Sequence, residues 1–258
     1  MCVIAWHWTP DQNLMLTLWA NRDEWLNRPS LALAPWTERP EWVGGRDLKA
    51  GGAWLLIDHQ RGRLAGLTNM RNQAPEADGV PIRPSRGEIP VLALSDERFL
   101  QTTDRFHGYA GFNLVMFSRD QASAFSIASG VSKPICIKAG IGSVSNGYPG
   151  DRWPKQKRLE QAIKHAQALG DSLWIEAAWN ALSDQSIPSD CELPDTGLCL
   201  ERERELAPVF INTKTYGTRQ STVLKLWSDG SIQLWERTWT GHCETLEYQD
   251  IFWSTERI

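Results

Sequence analysis

Cys2 stands directly after the initiator Met and opens a strand-like run. A residue that small permits aminopeptidase removal of Met1, which would leave a free α-amine beside the thiol. An N-terminal amine with a pKa near neutrality can serve as general base for its own side chain. Cys2 also reads as a buried hydrophobic cysteine that happens to be second, and taken alone that is the simpler reading. The second strand-like run ends in Asn21-Arg22-Asp23-Glu24-Trp25. Three consecutive charges there would ordinarily be a solvated turn. In an antiparallel hairpin, however, the end of strand 2 lies beside the start of strand 1, so Arg22 and Asp23 fall next to Cys2. Arg22 would lower the thiol pKa and bind an anionic or carbonyl group, and Asp23 could hold the α-ammonium. Neighbours on a strand point to opposite faces, so one of the two misses the site unless the strand ends or bulges there.

Other candidates carry less. Asn69 and Asn146 each close a strand-like run and enter a loop, where site residues belong; each also reads as an ordinary turn asparagine. An Asn amide can donate to a developing oxyanion. Arg219 sits early in a strand and otherwise reads as an exposed strand arginine. His7, His59, His107, His165 and His242 have no metal-ligand spacing, and His7 lies about 16 Å along the strand from Cys2. Glu201-Arg202-Glu203-Arg204-Glu205 reads as alternating charge on a solvated surface. Gly44-Gly45 and Gly51-Gly52 lack a phosphate-loop pattern.

The elements that must position these residues follow from periodicity and turn chemistry. Val3 to Trp8 and Leu14 to Ala20 form the opening hairpin around Thr9-Pro10-Asp11-Gln12-Asn13. Residues 27 to 52, rich in Pro, Gly and Arg, read as an irregular loop. Strands follow at Ala53 to Asp58 and Arg63 to Thr68, then a Pro-rich loop over 72 to 86, and short helices at Gly87 to Leu94 and Asp96 to Thr103. Further strands are expected at Phe112 to Phe117, Ala122 to Ser129 and Ile135 to Val144. Helices come next at Trp153 to Leu169 and Ser172 to Leu182. Three closing strands, Thr218 to Trp227, Ser231 to Thr238 and Glu244 to Tyr248, include an Asp229-Gly230 hairpin turn. Strands at both ends with helices between argue for an α+β layered fold.

The 258 residues suffice for a core without disulfides or metals, and the absence of a linker or repeat implies one domain over 1–258. A net charge of −4 gives no basic face for nucleic acid. No stretch reaches the roughly 20 apolar residues of a membrane span, and the N-terminus lacks a signal peptide, so the protein is expected in the cytoplasm. The five cysteines are odd in number and widely spaced, which suits free thiols in a reducing compartment. Fourteen tryptophans suit an aromatic core or an apolar pocket.

Met-Cys at the start, Asn21-Arg22-Asp23-Glu24 after a hairpin, Gly66-Leu67-Thr68-Asn69, Ser145-Asn146-Gly147 with Trp153-Pro154-Lys155, and Tyr216-Gly217-Thr218-Arg219 with Ser221-Thr222 together resemble the NRDE family, also called the transport and Golgi organisation 2 family. That family in turn resembles the N-terminal-nucleophile hydrolases of the choloylglycine hydrolase and penicillin V acylase kind. The resemblance implies an αββα four-layer sandwich with two stacked antiparallel sheets. It assigns Cys2 as nucleophile, with Arg22, Asp23, Asn69, Asn146 and Arg219 as the remaining site residues, and a small-molecule amide as substrate. In the acylases the Arg and Asp are usually separated, whereas here they are adjacent. No cofactor or metal is needed for such hydrolysis. A second reading stays open: a non-catalytic binding or trafficking protein on the same scaffold, handling haem or acyl lipid, although no haem motif is present. A third is a structural role in which the NRDE segment only braces the hairpin.

Overall fold

The computed structural model describes residues 2–71, 83–96, 98–101, 106, 108–131, 133–241 and 243–255. Met1, most of the Pro-rich loop, the end of the helix expected at Asp96 to Thr103, His107 and His242 lie outside the described residues. The opening hairpin forms as expected. β1 (Cys2–Trp8) pairs antiparallel with β2 (Leu14–Trp25), and its register sets Cys2 opposite Arg22. β1 also pairs with β10 (Gly140–Val144), while β2 pairs with β11 (Tyr216–Trp227), followed by β12 (Ile232–Thr240) and β13 (Glu247–Ser254). The result is a six-stranded sheet in the order β10-β1-β2-β11-β12-β13. A second sheet of seven strands runs in chain order through β3 (Ser30–Trp36), β4 (Arg39–Asp47), β5 (Leu55–Asp58), β6 (Arg63–Asn69), β7 (Phe112–Ser118), β8 (Ser123–Ala128) and β9 (Ile135–Cys136). Every pairing within the two sheets is antiparallel.

Period-2 side-chain alternation distributes β1 between two cores. Cys2, Ile4, Trp6 and Trp8 join an inter-sheet core with Leu16, Leu18, Leu55, Val115 and Phe117. Val3 and Ala5 point the other way, with Trp19 and Val223, onto the helices α2 (Pro154–Ala166) and α3 (Asp171–Leu182). A third core packs α1 (Glu88–Ser95) on the outer face of the second sheet through Leu56, Ala65, Leu67, Leu114 and Met116. The layers are therefore helix, sheet, sheet, helix. Both faces of the central strands are buried, so they read as continuous apolar runs rather than alternating ones. The tryptophans serve this packing: Trp6 and Trp8 both meet Phe117 edge-on across the sheets, with ring centroids 5.6 and 5.5 Å apart.

Several expectations need correction. The 27 to 52 segment is the β3–β4 pair, which is made irregular by register shifts between Leu31 and Ala34 and between Pro35 and Trp36. Gly44 is required there because a Cβ would sit 2.5 Å from the Leu55 carbonyl oxygen. The run from Ile135 to Val144 is two short strands at the edges of different sheets, with the chain crossing over before Gly140, whose φ of +123° suits only glycine. Of the helix expected from Asp96, the described part is a 3₁₀ turn at Phe99–Gln101. The last strand begins later than expected, at Glu247, after a 3₁₀ turn at Cys243–Thr245. The alternating-charge segment is a helix, α4 (Leu200–Leu206), and it is not fully solvated, since Glu203 is 2% exposed. Among the described residues no helix is long and apolar enough to cross a membrane.

Candidate active site

A cleft of about 640 Å³ opens where one end of the two sheets meets the loops, and Cys2, Arg22, Asp23 and Asn69 all line it. Arg22 lies on the inter-sheet side with Cys2, its direct cross-strand partner. Its guanidinium makes long hydrogen bonds to Ser30 Oγ (3.4 Å) and Gln220 Oε1 (3.5 Å). Asp23, one residue on, turns to the helix side. Both reach the cleft because they stand at its rim, where β11 carries a bulge: Thr218 opposes Asp23 and Gln220 opposes Arg22, leaving Arg219 as the extra residue. Asp23 Oδ1 accepts from Thr218 Oγ1 at 2.7 Å, and the Asp23 carbonyl accepts from the Tyr216 hydroxyl at 2.9 Å.

Burial pushes the Cys2 thiol up from its ordinary range; the Asp23 carboxylate adds to this, while the Asp23 backbone N–H and Arg22 act against it. A thiol held up in this way needs a base before it can attack. Burial also raises the Asp23 carboxyl, opposed by Lys155, by the Thr218 hydroxyl and by Arg71. Behind Asp23 stands a buried ion pair, Arg71 to Glu203 at 2.7 Å, with Arg71 also donating to the Leu206 carbonyl and lying 4.9 Å over the Trp153 ring.

The expected asparagines do not play equivalent parts. Asn69 lines the cleft. Asn146 is fully buried, and its Nδ2 donates to the Asn69 carbonyl at 2.8 Å, while its own carbonyl accepts from the Arg71 backbone N–H. The neighbouring Ser145 donates to the Cys2 carbonyl at 3.1 Å. Asn113 of β7 donates to the carbonyls of Ser145 (3.1 Å) and Gly147 (3.0 Å). Residues 145–147 therefore tie the end of β10 to the ends of β6 and β7 across the two sheets, beside the cysteine. Arg219 is not brought to the cleft. As the bulged residue it turns its guanidinium to the carbonyls of Trp25, Leu26 and Arg28, the nearest at 2.7 Å, bracing the segment after β2.

Residues without a sequence-assigned role turn out to shape the site. Thr218 and Tyr216 lie in a family-like segment, which was their only signal. Arg71, Glu203 and Lys155 come from three distant segments, and of these Lys155 lies in a family-like segment, with Trp153 and Pro154. Among the described residues no cluster of His, Cys, Asp and Glu could hold a metal ion.

The body is an α+β sandwich of two stacked antiparallel sheets between helices, with Cys2 opening a central strand at the cleft end of its sheet. The chain belongs to the Transport and Golgi organisation 2 family, whose model matches residues 1–241. It is 27% identical to the mouse Transport and Golgi organization 2 homolog over 96% of this chain and 98% of that one, and 28% identical to the human homolog at the same coverage. A solved structure of a C2A mutant of conjugated bile acid hydrolase from Clostridium perfringens superposes with a TM-score of 0.43 at 9% identity, over 99% of this chain and 97% of that one.

Proposed function

We propose that this protein is a cysteine amidohydrolase of the N-terminal-nucleophile type, acting on a non-peptide C–N bond of a small molecule once Met1 has been removed. The observation that carries the reading is the pairing of Cys2 with Arg22 in the cleft, with buried Asp23 next in line. The α-amine of Cys2 takes the thiol proton, and the sulfur attacks the amide carbonyl carbon. The C–N bond then breaks as the departing nitrogen takes that proton, leaving a thioester. Water adds to the thioester carbonyl, the S–C bond breaks, the carboxylic acid leaves and the thiol is restored. Arg22 binds the carbonyl or an anionic group of the substrate, and Asp23 holds the α-ammonium. Asn69 and Asn146 supply oxyanion donors; of the two protons on Asn146 Nδ2, one is committed to the Asn69 carbonyl. Arg219 braces the segment after β2 rather than touching substrate.

The test is hydrolysis of a panel of N-acyl amides by protein whose intact mass shows loss of Met1. Cys2→Ala is expected to lower turnover by at least about a thousandfold. Undiminished turnover in that variant would remove the reading.

A second reading has one observation in its favour. Among the described residues the cleft lining carries seven arginines, Arg22, Arg28, Arg46, Arg71, Arg83, Arg86 and Arg202, against Asp23, Glu24 and Asp47. It stays cationic although Arg28, Arg46, Arg71 and Arg202 pair with Asp47, Glu38, Glu203 and Glu205. That excess suits an anionic cargo such as haem or an acyl lipid bound without turnover, with Cys2 as the cysteine available to a haem iron. Titrating haem into the purified protein and finding no Soret shift would count decisively against haem.

A further inference from the structure

Lys155 is 1% exposed, and its Nζ has no hydrogen-bond partner among the described residues. A buried ammonium without a hydrogen bond is costly, and the local structure does not offset that cost. Lys155 sits in the first turn of α2, after Trp153 and Pro154, where the helix dipole disfavours a cation. What surrounds it is a cluster of buried charge. α2 rests directly on β1. The groups whose fields act on Lys155 are Arg71, from the segment after β6; Asp23, from β2; Cys2, from β1; and Glu203, from α4. Glu203 is committed to Arg71 and also accepts from the Thr196 N–H at 3.0 Å. Asp23, which Arg71 also acts on, and the Cys2 thiol are the other acidic groups in the field of Lys155.

We propose that Lys155 is a positioning residue of the Cys2 site, its ammonium keeping Asp23 ionised and favouring the thiolate of Cys2 and the unprotonated form of the adjoining α-amine. The inference rests on the reading of Cys2 as a nucleophile. It explains why a cation is retained inside the molecule where neither the helix nor a hydrogen bond needs it. Burial, followed by repulsion from Arg71, lowers the Lys155 ammonium to about 8, with Asp23 and Cys2 acting the other way. It therefore remains mostly protonated at neutral pH, as the role requires.

The test follows alkylation of Cys2 by iodoacetamide across pH, read by mass of the Cys2 peptide, in wild type, Lys155→Met and Lys155→Arg. Lys155→Met is expected to slow Cys2 alkylation about tenfold at pH 7.5, a shift of about one pH unit in the profile. Lys155→Arg is expected to stay within about threefold of wild type, because it keeps the charge. A folded Lys155→Met variant with the wild-type profile overturns the proposal. Should Lys155→Met fail to fold, the same question is put to Asp23→Asn by carbon-13 NMR of ε-labelled lysine. There the Lys155 midpoint is expected to fall by about one unit, and an unmoved midpoint overturns the proposal. Failure of the two readings can be told apart. A shifted alkylation profile in protein that hydrolyses no amide sinks the hydrolase reading and upholds the role of Lys155. Turnover abolished by Cys2→Ala, with a profile indifferent to Lys155→Met, does the reverse.

Discussion

Lys155 also leaves a mark on stability that needs no substrate to read. Its folded ionisation at about 8 lies below the ordinary 10.5. Between those values the unfolded chain holds a proton that the folded protein has released, so stability rises with pH across that window. Below pH 8 both states are protonated and the full cost of burying the charge is present. The shift corresponds to on the order of 3 kcal/mol. Urea unfolding of wild type and Lys155→Met from pH 7 to 10.5 should give a stability difference, wild type minus variant, that is flat near pH 7 and climbs above pH 8. A flat difference throughout would mean that Lys155 is solvated. At this scale the sequence was legible where position did the work. Cys2 stands out by its place in the chain, and Arg22 and Asp23 follow from it through hairpin geometry alone. Lys155 lay within a family-like segment, but its burial was not legible, because nothing about a lysine in a Lys- and Arg-rich helix reveals that it turns inward.

Among the elements, the opening hairpin could be read because turn residues separate two apolar runs. The β3–β4 pair could not, since Pro and Gly interrupt its pattern and its two register shifts exist only against a partner strand. Nor could the bulge that removes Arg219 from the cleft, which arises from how β11 lies along β2. α4 shows the same lesson in energies. Its Glu-Arg alternation has a surface look, yet Glu203 is buried against Arg71, a residue 132 positions away in the chain. Glu205, two residues on, is exposed and pairs with Arg202 at 2.5 Å. Glu203→Ala should therefore cost about 3–5 kcal/mol by leaving the Arg71 charge buried and uncompensated. Glu205→Ala should stay within about 1 kcal/mol. Chemical denaturation of the two variants checks the contrast, and equal effects would return the helix to the solvated reading.

The whole molecule is held by the match between two sheet faces, and that match is tight at Gly66 of β6. A Cβ added there would stand 2.8 Å from Ile4 Cδ1 of β1, with Leu55 Cδ1 at 3.3 Å and Val115 Cγ2 at 3.4 Å. Ile4 is fully buried and has little room to yield. Gly66→Ala should lower stability by about 1–3 kcal/mol through overpacking, measured as a shifted denaturation midpoint; a neutral result would mean that the sheets can part slightly at no cost. The four-layer architecture was accessible from the succession of strands and helices together with the family-like segments. The spacing of the layers was not, because it depends on which small residue meets which large one across the core.

The ties at residues 145–147 add an asymmetry to this packing. Polar links between the sheets gather toward the cleft, from Asn146 to Asn69 on one side and from Leu33 N–H to Glu236 (2.8 Å) on the other. The opposite end, around Trp8, Leu16 and Phe117, is joined by apolar contact. Hydrogen bonds are directional and fail abruptly, whereas apolar contacts tolerate sliding. A slide of one sheet over the other is therefore resisted most sharply beside Cys2, where the links are hydrogen bonds of fixed direction, so the cleft walls keep their alignment.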